Sequence, residues 1–180
     1  MSKKIAENLP GTAKLAAIRF LVLDVDGVMT DGSISYDSAG HELKTFNVKD
    51  GAGLGYWKQA GHEAGIITGR SSPMLERRAR ELGIRFVAMG APEKMPAFEK
   101  MLAEAGVAPE ETAVVGDDLP DLPLIRRAGF GVAVADAAAE ARLEADWVAR
   151  QNGGRGAVRE VIELILKARG EWDGVLARHR

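Results

Sequence analysis

Apolar runs alternate with amphipathic stretches along this chain. Phe20-Leu21-Val22-Leu23, Ala64-Gly65-Ile66-Ile67 and Thr112-Ala113-Val114-Val115 are continuous runs of the kind buried on both faces of a parallel sheet. The pattern predicts strands over 19–24, 63–68, 85–89, 112–116, 130–133 and 147–149. It predicts helices over 52–60, 73–82, 94–105, 120–128 and 156–168. Strand and helix in alternation argue an α/β fold with a doubly wound parallel sheet. Gly61, Gly83, Gly106 and Gly129 each fall just past a predicted helix, where a left-handed residue is favoured. Pro73 and Pro120 fall where a first helical turn tolerates proline. The alternation breaks once, at 33–37 and 42–46, which flank Ser38-Ala39-Gly40-His41 and read as a β-hairpin projecting from the end of the first strand. Residues 1–17 read as a mobile or loosely packed lead-in. Residues 18–180 read as a single domain, with the hairpin at 33–46 and a glycine-rich loop and helix at 153–169.

Composition narrows the class without naming the chemistry. One hundred and eighty residues suffice for one substantial core. A hydrophobic fraction of 46% with 28% charged is ordinary for a soluble globular protein. A net charge of −2 provides no field to recruit nucleic acid or an anionic membrane. No segment approaches a membrane span or a signal-peptide core. The absence of cysteine excludes a disulfide scaffold and thiol chemistry, and fits a cytoplasmic protein.

The polar residues that end the apolar runs carry the chemistry. Asp24-Val25-Asp26-Gly27 follows the first strand, at the strand end where open α/β sheets bind ligands. Carboxylate oxygens are hard ligands suited to Mg²⁺, and a carboxylate can attack phosphorus to form an aspartyl-phosphate. Thr68-Gly69-Arg70 follows the second run, where a hydroxyl, small-residue backbone and a helix start favour a phosphate. Lys94 opens an amphipathic helix after Gly90-Ala91-Pro92. Gly116-Asp117-Asp118-Leu119-Pro120-Asp121 ends a further strand. Singly, each could be a turn, a cap or a solvated charge. In this order, all at strand ends or the helix starts that follow, they favour catalysis.

These segments resemble the four motifs of the haloacid dehalogenase phosphohydrolase superfamily. Phe46-Asn47-Val48-Lys49-Asp50-Gly51, Ile66-Ile67-Thr68-Gly69-Arg70, Val115-Gly116-Asp117-Asp118-Leu119 and Gly153-Gly154-Arg155-Gly156-Ala157-Val158-Arg159-Glu160 further resemble the capless family of 3-deoxy-D-manno-octulosonate 8-phosphate phosphatases. The resemblance covers roughly 18–170. It implies a Rossmann-like phosphatase that hydrolyses a small sugar-acid phosphate for lipopolysaccharide synthesis. Asp24 would be the nucleophile and Asp26 the general acid and base, its backbone carbonyl also serving the metal. Asp24, Asp26 and Asp117 would hold Mg²⁺, with Asp118 and Asp121 behind them holding metal waters or Lys94. Thr68, Gly69 and Lys94 would bind the phosphoryl group. Arg70 and Arg78 would grip the substrate carboxylate, a task suited to a planar guanidinium. Asn47, Val48, Lys49, Asp50 and Gly51 would form a substrate loop, and 153–156 a flexible loop near a substrate site. Gly55 departs from the family, which often carries a basic residue there.

The intervals between motifs leave room for no separate cap domain: 27–51 holds a hairpin and 89–94 a short loop. The family resemblance implies a homotetramer whose subunits complete one another's sites. A nine-carbon sugar-acid 9-phosphate is the alternative substrate. A signalling receiver or a catalytically silent binding protein is the alternative from another class, but in receivers the acidic pair comes first and the phospho-acceptor later. His41, His62, His179, Trp57, Trp147 and Trp172 read as structural.

Overall fold

The computed structural model describes residues 11–179. In chain order its elements are α1 (Thr12–Ala16), β1 (Phe20–Leu23), β2 (Ser35–Tyr36), β3 (Glu42–Leu43), α2 (Val48–Gln59), β4 (Glu63–Ile67), α3 (Pro73–Leu82), β5 (Phe86–Ala88), α4 (Lys94–Ala105), β6 (Thr112–Gly116), α5 (Leu122–Arg127), β7 (Phe130–Ala133), α6 (Ala139–Glu144), β8 (Trp147–Val148), α7 (Ala157–Ala168) and α8 (Trp172–Ala177). Six strands form one parallel sheet in the order β5-β4-β1-β6-β7-β8. The central strands β1, β6 and β7 are buried along their whole length, which is why they read as unbroken apolar runs.

The chain runs outward from β1 through β4 to β5, then crosses back to β6 on the other side of β1. Strand order therefore reverses between β1 and β6, the place where α/β sheets open a ligand crevice. Asp24 follows β1 and Asp117 follows β6, so this reversal brings together carboxylates 93 positions apart in sequence. The Asp24 amide continues the pairing by donating to Val115 O at 3.1 Å.

The structure departs from the sequence reading in several places. Residues 1–10 of the expected lead-in lie outside the described residues. The remainder is not loose: α1 buries Leu15, and Arg169 Nη1 donates to Ala16 O at 2.5 Å and Ile18 O at 3.0 Å. The helix expected from 52 begins at Val48, because Asn47 Oδ1 accepts from the Lys49 amide at 2.8 Å and starts it earlier. Gly61, Gly83 and Gly106 have positive φ, but Gly129 does not. Gly129 is needed for space instead, since a β-carbon there would overlap the Glu110 backbone. Pro120 belongs to a 3₁₀ turn before α5. Neither α6 nor α8 was expected: six residues each, both sit below the length at which periodicity speaks.

Candidate active site

Asp24, Lys94 and Asp121 form a buried ion-pair chain at the sheet's reversal. Lys94 Nζ donates to Asp24 Oδ1 at 2.5 Å and to Asp121 Oδ1 at 2.6 Å. Asp121 Oδ2 accepts from the amides of Asp117 at 3.0 Å and Asp118 at 3.3 Å. Asp121 thus uses both oxygens within the protein, one to hold the lysine and one to fold the turn that presents Asp117. Lys94 thus bridges Asp24 and Asp121. Asp118 contributes its amide to this turn.

The carboxylates crowd one another. Oxygens of Asp24, Asp117 and Asp121 lie within 4.8 Å of one another. Burial pushes Asp24 up to about 6, Asp121 adding to the shift and Lys94 opposing it. Burial, then the charges of Asp24, Asp121 and Asp118, push Asp117 up to about 8. Burial lowers the proton affinity of Lys94, but Asp24 and Asp121 more than offset this and leave it raised. Such crowding of hard oxygen donors calls for a cation. Since Asp121 is already engaged by Lys94 and the turn amides, the carboxylates left to suit Mg²⁺ are Asp24 and Asp117.

Thr68 directly follows β4, is 2% exposed, and its hydroxyl accepts from the Arg70 amide at 3.3 Å. A β-carbon on Gly69 would meet only Ala91 O, at an ordinary 3.8 Å. Arg70 does not point freely at a substrate: Nη2 donates to Glu42 Oε1 at 2.6 Å and Nε stands 3.8 Å from Asp26 Oδ2. Lys44 pairs with Asp26 Oδ1. The hairpin therefore contacts Asp26 and Arg70 of its own chain. Sequence reasoning missed Lys44 and Glu42. No local signal marked them: β3 ends at Leu43, and charged residues in a short polar hairpin read as solvated.

The expected substrate loop is the first turn of α2. Asn47 Nδ2 donates to Gly154 O at 3.2 Å, and Val48 and Lys49 are exposed. Asp50 is 3% exposed and turned toward α7, where Oδ1 accepts from the Arg159 amide at 2.8 Å. Burial raises its proton affinity. Gly51 leaves room for the Arg78 guanidinium, which also stacks 5.8 Å from the Phe46 ring centre. Among the described residues Arg78 makes no ion pair with the site carboxylates, and its buried Nε has no partner. The 153–156 segment lies against the loop after β1: the Gly154 amide donates to Val28 O at 2.8 Å and Arg155 Nη2 to Asp31 Oδ2 at 3.1 Å. His62 is structural, bonded to Glu171 Oε2 at 2.6 Å, and Trp57 is buried with Nε1 donating to Glu63 O.

Residues 47–129 match the haloacid dehalogenase-like hydrolase family. The chain is 47% identical to 3-deoxy-D-manno-octulosonate 8-phosphate phosphatase of Escherichia coli K12, over 89% of this chain and 86% of that one. The same phosphatase from Moraxella catarrhalis, solved in complex with magnesium ion, phosphate ion and a KDO molecule, superposes with a TM-score of 0.91. The two are 44% identical, and the match covers 94% of this chain and 97% of that one. The Yersinia pestis phosphatase superposes at 0.89 with 45% identity, over 91% and 88% of the two chains.

Proposed function

The chain belongs to the family of 3-deoxy-D-manno-octulosonate 8-phosphate phosphatases among the haloacid dehalogenase-like hydrolases, and from that premise we propose how its residues carry out the reaction and where its product goes. It is a phosphoric monoester hydrolase that uses Mg²⁺ and releases the free sugar acid and inorganic phosphate. The product supplies lipopolysaccharide synthesis. The observation that carries the mechanism is Asp24, buried at the end of β1 and bonded to Lys94, with Asp117 beside it.

Asp24 is the nucleophile. Its carboxylate attacks phosphorus in line and forms an aspartyl-phosphate as the ester bond breaks. Asp26 protonates the departing alcohol, then takes a proton from the water that hydrolyses the aspartyl-phosphate. Lys94 offsets charge on Asp24 and on the phosphoryl oxygens, held to that task by Asp121. Thr68 and the following Gly69 amide receive phosphoryl oxygens at the strand end. Asp24 and Asp117 would hold Mg²⁺, which would supply Lewis-acid stabilisation of the transferring phosphoryl charge. Arg70 receives the substrate's carboxylate by exchanging it for Glu42.

The active assembly is a homotetramer in the cytoplasm. Supporting the assembly, the short hairpin leaves Ile34, Tyr36 and Leu43 exposed, and Val48 at the start of α2 is exposed as well. Supporting the compartment, the chain has no cysteine, and no described helix is long and apolar enough to cross a membrane. The function is tested by phosphate release from eight- and nine-carbon sugar-acid phosphates with and without EDTA. Preference for the eight-carbon ester, lost with EDTA and restored by Mg²⁺, is expected. Equal turnover of both esters would overturn the substrate assignment.

A further inference from the structure

Lys44 is buried in a hairpin that is otherwise mostly exposed. Tyr36 and Leu43 on the hairpin strands lie open, yet the Lys44 side chain is 5% exposed. Lysine is seldom buried to this degree unless it is paired. Its Nζ donates to Asp26 Oδ1, and Glu42 Oε1 stands 3.9 Å away. Glu42 accepts from Arg70, whose Nε approaches the other oxygen of Asp26 to 3.8 Å. Four charges from three segments thus close a ring: the loop after β1, the hairpin, and the loop after β4. The buried ammonium is paired, donating to Asp26 with Glu42 close by.

We propose that Lys44 is a positioning residue for Asp26, fixing its carboxyl so that Oδ2 is the oxygen that exchanges a proton with the substrate. This rests on the reading of Asp26 as the general acid and base. In the first step the Asp24 carboxylate forms a bond to phosphorus. The ester P–O bond breaks with its electron pair on the leaving oxygen, which takes the proton from Asp26 Oδ2. In the second step a water oxygen bonds to phosphorus and the Asp24–phosphorus bond breaks. That water's proton returns to Asp26 Oδ2. Both transfers use one oxygen at one place, and a carboxyl not held at Oδ1 would be free to turn that oxygen away. The 3.8 Å gap from Arg70 is too long for a hydrogen bond and leaves Oδ2 open for this exchange.

The test is the dependence of rate on leaving group, which a purely structural role would not move. General acid catalysis contributes about 10²–10⁴-fold and matters most for poor leaving groups, so loss of alignment is expected to forfeit about 10–100-fold of it. Single-turnover rates are measured with Mg²⁺ on 4-nitrophenyl phosphate, phenyl phosphate and the octulosonate 8-phosphate, for wild type, Lys44→Met, Lys44→Arg and Asp26→Asn. Lys44→Met is expected to lose about 10–100-fold on the sugar ester with little change in KM, and less than about threefold on the nitrophenyl ester. Lys44→Arg is expected to recover part of the loss. Lys44→Gln carries the same comparison if Lys44→Met does not fold. A loss that is equal on all three esters, or absent, while Asp26→Asn remains leaving-group dependent, overturns the role of Lys44. An Asp26→Asn profile that is itself flat overturns the acid reading, and the proposal with it.

Discussion

A β-carbon on Gly27 would overlap the carboxylate of Asp117. Gly27 has φ of 97°, a conformation that side chains rarely adopt, and it lies directly beyond Asp26. The loop after β1 is therefore shaped by glycine so that a carboxylate from β6 can reach Asp24. Gly27→Ala is expected to displace Asp117 and raise the Mg²⁺ concentration needed for half activity by tenfold or more, about 1.4 kcal/mol in metal affinity. A Mg²⁺ titration of phosphate release checks this. An unchanged midpoint would show that the overlap is absorbed elsewhere.

Asp24→Asn is expected to reduce turnover by at least about 1,000-fold, since an amide cannot form the acyl-phosphate. Asp26→Asn is expected to be severe while leaving Mg²⁺ binding largely intact, because only its side chain changes. Isothermal titration with Mg²⁺ beside steady-state rates separates the two. Full activity of the Asp24 variant would sink the mechanism.

Metal and pH are coupled through Asp24 and Asp117. Both carboxyls are raised in the folded protein, to about 6 and about 8, so the fold binds protons more tightly than the unfolded chain. Their contribution without metal is fully present below the ordinary carboxylate value of about 3.8 and is lost as pH rises through about 6 and then about 8. The metal-free protein is thus expected to lose thermal stability across that window. Mg²⁺ binds the ionised form, so the stabilisation it confers is expected to grow with pH. Melting curves at pH 5.5 and pH 8, with EDTA or Mg²⁺, measure this. A Mg²⁺ shift that is larger at the lower pH would contradict the crowding.

Among the described residues the buried Nε of Arg78 has no partner, a donor left over after its contacts with Phe46, Gly51 and Glu81. Arg78→Ala is expected to raise KM for the octulosonate ester by about ten- to hundredfold, the loss of a charge-assisted hydrogen bond. Activity on 4-nitrophenyl phosphate, which lacks a carboxylate, is expected to change little. Equal losses on both would place Arg78 in the packing of α3 against α2.

If the exposed hairpin residues join subunits, Tyr36→Asp combined with Leu43→Asp is expected to shift the protein from tetramer to smaller species. Light scattering checks the mass, and an activity–concentration series checks whether small species still discriminate between substrates. A wild-type monomer that is fully active and selective would refute shared sites.

The motifs were legible in the sequence because each is local. An unbroken apolar run that meets a polar break marks a buried strand's end, and Asp24, Thr68, Lys94 and Asp117 all stand at such ends or at the helix start that follows. Sheet order could not be read from the same pattern, yet it is what turns four separate signals into one site. Asp121 shows the difference. The family resemblance implied that it would hold a metal water or Lys94, but nothing local showed that its other oxygen would take the amides of Asp117 and Asp118. Asp50 looked like a substrate ligand, but the helix starts earlier than its periodicity suggests, and the carboxylate faces α7. Lys44 had no local signal at all: a lysine in a short polar hairpin reads as solvated until the hairpin is folded back against Asp26. Burial and pairing depend on residues distant in the chain, so the backbone periodicity that places a strand or a helix cannot say what its side chains will meet.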